Sequence, residues 1–203
     1  MGPMTSFGMT SYCALVATLL LAGCSSAPRN APATSPQPRA AYPHTEADVH
    51  FMSAMIGHHS QALVMAAWAP THGAGPAIRR LAERLINGQQ DEIVTMQRWL
   101  RDRGEEPAGS GHHGMTMPGM LTDAQLQQLD RARGVEFDRL FLRFMIQHHR
   151  GAVTMVQQLF ATPRAAQDET VFKFANDVSV DQSTEIRRME QMLDAVPAAN
   201  SAR

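Results

Sequence analysis

Two pairs of adjacent histidines, His58-His59 and His148-His149, lie in segments that repeat one another. The first reads Glu46-Ala-Asp48-Val-His-Phe51-Met-Ser-Ala-Met55-Ile56-Gly-His58-His59-Ser-Gln-Ala62-Leu-Val-Met65. The second reads Glu136-Phe-Asp138-Arg-Leu-Phe141-Leu-Arg-Phe-Met145-Ile146-Gln-His148-His149-Arg-Gly-Ala152-Val-Thr-Met155. Every numbered residue of one has an identical counterpart in the other at a constant offset, which marks an internal duplication. The duplicated residues include imidazoles, thioethers and carboxylates, all metal-ligating groups.

On a helix of about 100° per residue, Asp48 falls within about 20° of His59, Met52 is equally close and Met55 lies about 40° away. Asp48, Met52, Met55 and His59 therefore share a stripe, as do Asp138, Leu142, Met145 and His149. His58 and His148 lie about 100° further round, nearer Met65 and Met155. One histidine of each pair is thus expected to face inward and the other a groove or a neighbouring helix. Further along, Gln89, Glu92 and Met96 recur at three and four, and Gln182, Glu185 and Met189 repeat that spacing. The candidate ligands of a helical interior are His58, His59, His148 and His149, with Met55, Met145, Asp48, Asp138, Glu92 and Glu185 as ligands or supporting partners. Buried carboxylates need partners, and buried imidazoles need partners or a metal. The competing reading is structural: a hydrogen-bonded His/Glu/Gln network that fixes register, with methionine as core filler.

A second cluster lies between the copies, His112-His113-Gly-Met115-Thr-Met117-Pro-Gly-Met120. Thioether is a soft ligand and imidazole a borderline one, so His112, His113, Met115, Met117 and Met120 suit Cu(I) or Ag(I), and histidine with carboxylate or backbone groups can take Cu(II). His and carboxylate ligands alone would equally take zinc. The bland alternative is a low-complexity linker.

The elements that would position these residues read as all-α. Thr45 is an N-cap with Glu46 and Asp48 in the first turn, and a helix runs to Trp68 before Pro70 and Gly73-Ala-Gly75-Pro76 end it. A second amphipathic helix spans about Ala77 to Arg103. After the loop at 104–121, Thr122-Asp-Ala-Gln125 fits a capping box opening a short helix to about Arg133, with a break at Gly134. Helices from about Val135 to Phe160 and Asp168 to Ala195 complete the chain. Because Gln-x-x-Glu-Ile-x-x-Met occurs at Gln89 and again at Gln182, the whole helical hairpin is duplicated. Two hairpins with exposed apolar faces are expected to pack as a four-helix bundle over residues 45–196, related by a pseudo-twofold axis, with a tail at 197–203.

Phe141-Leu-x-x-Met145-Ile146-x-His148-His149-x-Gly-Ala152-x-x-Met155, together with the Gln-x-x-Glu-Ile-x-x-Met motif, resembles the family named domain of unknown function 305. The resemblance covers about Thr45 to Val196. It implies a ferritin-like four-helix bundle, an exported location and, for some members, copper binding through Met and His in copper tolerance. The chain departs from di-iron ferritin-like bundles in having no Glu-x-x-His, which argues against an iron oxidase.

At the N-terminus, the apolar run Cys13–Leu21 is too short to span a bilayer. Leu21-Ala22-Gly23-Cys24 resembles the bacterial lipobox, which makes residues 1–23 a lipoprotein signal peptide and Cys24 the lipidated residue; no Lys or Arg precedes it. A plain secretory signal with a chance cysteine is the competing reading. Residues 24–44 are a Pro/Ala/Ser-rich tether. With Cys13 removed and Cys24 acylated, no free thiol is left for a disulfide or thiolate site. The 203 residues carry a formal charge of −1, with no basic block suited to nucleic acid. The expected protein is a membrane-tethered, extracytoplasmic copper binder of the cell envelope, more in keeping with a non-enzyme. The alternatives are a metal-dependent oxidase or hydrolase and a metal-free helical interaction module.

Overall fold

The computed structural model describes residues 44–105 and 117–197. The signal peptide, Cys24, nearly all of the tether, His112, His113, Met115 and the tail beyond 197 lie outside the described residues. Five helices follow in order: α1 Glu46–Ala67, α2 Pro76–Arg101, α3 Asp123–Arg131, α4 Gly134–Ala161 and α5 Glu169–Ala195. Among the described residues there is no strand, and no helix is long and apolar enough to cross a membrane.

Local chemistry sets the helix ends. Thr45 and Asp48 form a reciprocal capping box at α1, as do Thr122 and Gln125 at α3. Pro76 supplies the first turn of α2, where a missing N–H costs nothing. Gly134, at φ 57°, turns the chain from α3 into α4 in a left-handed conformation that favours glycine.

Helices α1 and α2 form one hairpin, α4 and α5 the other, and the two join chiefly through α1 and α4. Those two helices run antiparallel, because the start of each meets the turn beyond the end of the other. Asp48 Oδ1 accepts from Ala166 N at 2.6 Å, and Asp138 accepts from Gly75 N at 3.1 and 3.2 Å. The duplicated aspartates thus each hold the hairpin turn of the opposite copy.

The core is divided in two. One cluster takes Ala62–Ala66 of α1, Ile78–Leu85 of α2, Phe137–Ile146 of α4 and Met189 of α5. The other takes Phe51–Ile56 of α1, Ile93–Leu100 of α2, Ala152–Leu159 of α4 and Val171–Val178 of α5. Between them, on every long helix, the buried residues turn polar: His58 and His59, Gln89, His148 and His149, and Gln182. The chain therefore places a polar layer at the middle of its apolar interior.

Candidate metal centre

All four histidines of that layer are fully buried, at 0% exposure. Both members of each pair turn into the protein, though toward different neighbours. His59 Nε2 lies 2.6 Å from Glu92 Oε2 across its own hairpin, and His149 Nε2 lies 2.8 Å from Glu185 Oε2 across the other. His58 and His148 instead meet each other where α1 crosses α4, with ring centroids 3.8 Å apart. His58 Nε2 lies 3.0 Å from the Pro118 carbonyl oxygen, and His148 Nε2 lies 2.9 Å from that of His58.

These partners fix the tautomers. A carbonyl oxygen or a carboxylate can only accept, so each Nε2 carries a proton, and in the neutral ring each Nδ1 is then a lone-pair donor. All four Nδ1 atoms are buried and have no hydrogen-bond partner, as are both amide atoms of Gln89 and Oε1 of Gln182. Orphaned buried polar atoms are uncommon in native interiors, and here, among the described residues, all but Arg139 Nε gather in one layer. The pattern matches metal-ligating histidine, whose second ring nitrogen donates to a carboxylate or a backbone carbonyl. The residues present therefore fit a metal, although among the described residues no three His, Cys, Asp or Glu side chains stand close enough to hold one without adjustment.

The electrostatics keep the central pair in the ligating form. Burial, with the adjacent His59 and His149 imidazoles, pulls His58 down to about 3 against the Pro118 hydrogen bond. Burial and the other three imidazoles hold His148 well below the ordinary histidine range. Both are neutral at pH 7. Outside them, Glu92 and Glu185 are 24% and 33% exposed, so each links a buried imidazole to solvent. The carboxyl of nearby Asp181 is raised by partial burial and by the negative charges of Glu92, Asp177 and Glu185.

The sequence-derived candidates divide accordingly. His58, His59, His148, His149, Glu92 and Glu185 converge on the polar layer. Met55 and Met145 are fully buried one turn before His59 and His149. Asp48 and Asp138 lie at the helix starts with their oxygens engaged by the hairpin turns, rather than continuing the histidine stripe inward. Met117 and Met120 close a turn at Met117-Pro118-Gly119-Met120, where Met120 N donates to Met117 O at 3.3 Å and Gly119 has φ 76°. Met117 packs against the core cluster containing Ile56. The Pro118 and His58 carbonyls are not legible in the motifs, because backbone acceptors leave no trace in residue type.

The family profile described as "Domain of unknown function (DUF305)" matches residues 48–193. The chain belongs to the DUF305 family. A DUF305 member from Streptomyces coelicolor, described as secreted, is 28% identical, with a TM-score of 0.67 over 77% of this chain and 98% of that one. A DUF305 fragment from Deinococcus radiodurans is 33% identical, with a TM-score of 0.65 over 75% and 99%. CopM in its Cu(I)-bound form is 31% identical, with a TM-score of 0.59 over 73% and 96%; CopM is also known in Cu(II)- and Ag-bound forms. A curated relative, the uncharacterised protein L153 of Acanthamoeba polyphaga mimivirus, is 38% identical over 56 residues, which span 28% of this chain and only 37% of that protein.

Proposed function

We propose that this DUF305 protein binds copper outside the cytoplasm, capturing Cu(I), and also Ag(I) or Cu(II), for sequestration or tolerance. The observation that carries the reading is the set of four buried, partnerless Nδ1 atoms whose opposite ring nitrogens are all committed to acceptors. Imidazoles with buried thioethers one turn away suit a soft ion better than a hard one. Such an ion would draw on His58, His59, His148 and His149 with Met55 and Met145, while Glu92 and Glu185 orient the outer two imidazoles. The acidic seam of Glu92, Asp181 and Glu185 favours approach of a cation. His112, His113, Met115, Met117 and Met120 would supply a second capture element. The metal-bound forms of CopM and the secreted description of the Streptomyces relative support this reading by likeness. Acylation of Cys24 would hold the protein at a membrane surface.

Competitive titration with a Cu(I) chelator tests the proposal on the mature protein, on a His58/His59/His148/His149→Ala variant, and on a loop variant with Met115, Met117 and Met120 changed to Leu and His112 and His113 to Ala. Bundle substitution is expected to abolish the tightest site, with the helical fold checked by circular dichroism. Binding that responds only to the loop substitutions would return the bundle histidines to a structural role. A parallel Zn(II) titration is expected to give weaker binding.

A further inference from the structure

The two copies differ at the centre in a way the duplication does not predict. Glycine and glutamine exchange places twice: Gly57 corresponds to Gln147, and Gln61 to Gly151. Gln61, Gln147 and Gly151 meet the segment Met117–Leu121, for which the duplication has no counterpart, and Gly57 lies beside it. Gln61 donates through Nε2 to Leu121 O at 3.0 Å and accepts from Leu121 N at 2.8 Å. Gln147 Nε2 donates to the carbonyls of Gly119 and Met120 at 3.3 and 3.5 Å. Gly151 makes the room: a Cβ there would stand 2.0 Å from Pro118 O and 2.6 Å from Gly119 Cα, whereas one at Gly57 would only reach ordinary contact with the Met117 methyl at 3.6 Å. The segment is thus strapped across α1 and α4 over the histidine pair.

Its effect falls on one imidazole. By the pseudo-twofold relation, His148 Nε2 donating to His58 O should be matched by His58 Nε2 donating to His148 O. It donates instead to Pro118 O of the strap. We propose that the Met117–Leu121 strap is a positioning element, seated by Gln61, Gln147 and the bare Cα of Gly151, that sets the tautomer and orientation of His58 so that its Nδ1 lone pair is presented to the metal. The proposal rests on the copper reading for its consequence, while the tautomer itself is a property of the metal-free protein. Loss of an outer partner of this kind typically lowers metal affinity about 10- to 100-fold.

The test uses Gly151→Ala, which blocks the Pro118 carbonyl without removing any candidate ligand and places a better helix former in α4, and Gly151→Ala/Gln61→Ala, which also removes both side-chain bonds to Leu121. Ring-nitrogen NMR shifts of the metal-free protein at pH 7 report each tautomer, and hydrogen exchange of the Leu121 amide reports whether the strap is seated. Wild type is expected to show His58 protonated on Nε2 alone. The double variant is expected to show a mixed His58 tautomer, an unchanged His148, a faster-exchanging Leu121 amide and an approximately tenfold or greater loss of Cu(I) affinity. A strap that stays seated in the double variant would overturn the proposal, as would an unchanged His58 tautomer once it is released. If wild type bound no Cu(I), the copper reading would fail while the NMR arm still decided the role of the strap.

Discussion

Neutral imidazole is the chemically decisive state at the centre of this protein, and two of the four histidines are held there by burial. His58 titrates near 3 in the folded chain against an ordinary value of 6.5, and His148 is displaced the same way. With the folded value depressed, the unfolded chain binds more protons between those limits, so stability is complete above about pH 6.5 and falls as pH drops toward 3. The loss is expected to approach about 1.4 kcal/mol per pH unit for His58, and His148 adds to it in the same direction. Urea denaturation of the metal-free protein at pH 7, 5.5 and 4.5 measures it, and replacing both residues with Gln should flatten the dependence. The outer two histidines depend on Glu92 and Glu185. Glu92→Gln or Glu185→Gln removes the anionic acceptor while keeping the shape, and should weaken Cu(I) binding about 10- to 100-fold by chelator competition with the helical signal intact.

At the scale of elements, the duplicated aspartates do unequal work. Asp48 is fully buried, completes the α1 capping box and accepts from Ala166 N. The turn it holds contains Arg164 and Ala166 at φ 66° and 55°, conformations that strain non-glycine residues. Asp138 holds a turn in which Gly73 supplies the positive φ. Asp48→Ala would lose the N3 half of the capping box and strand a buried N–H, which together cost about 2–3 kcal/mol. Asp138→Ala should cost about 1–2 kcal/mol. Chemical denaturation measures both, and neither substitution is expected to change the Cu(I) affinity of the folded protein. A loss of affinity in either would make that aspartate a ligand after all. The α5 start is tied separately: Asp168 caps Thr170 and Val171 and accepts from Trp99 Nε1 and Arg103. Burial raises its carboxyl, but those donors outweigh it and hold the group below its usual value.

Across the whole molecule, the polar layer divides one apolar core into two clusters that each draw on all four long helices. A metal that binds only the folded state must raise the melting temperature. At a free ion concentration 100 times Kd the gain is about 2.7 kcal/mol, several degrees for a domain of this size. Thermal melts with Cu(I) under reducing conditions should show the rise, and chelation should reverse it. An unchanged melting temperature on both additions would favour the metal-free interaction module.

How much of this was legible in the sequence follows from the type of signal. Helices, caps and the duplicated hairpin were readable because each is set by neighbours three or four residues apart, and the paired histidines stood out because both copies keep them. The Gly/Gln exchange was also visible, but it had no meaning until the strap lay across those four positions. Helical spacing placed Asp48 and His59 on one stripe, yet Asp48 serves the start of α1 and His59 its middle: a wheel gives azimuth and omits the axial distance of about three turns. The sequence by itself determined that imidazoles would enter the interior. Only the tertiary structure decided which nitrogen of each is committed and which is free, because the acceptors are carbonyls and carboxylates brought from other helices and from the strap.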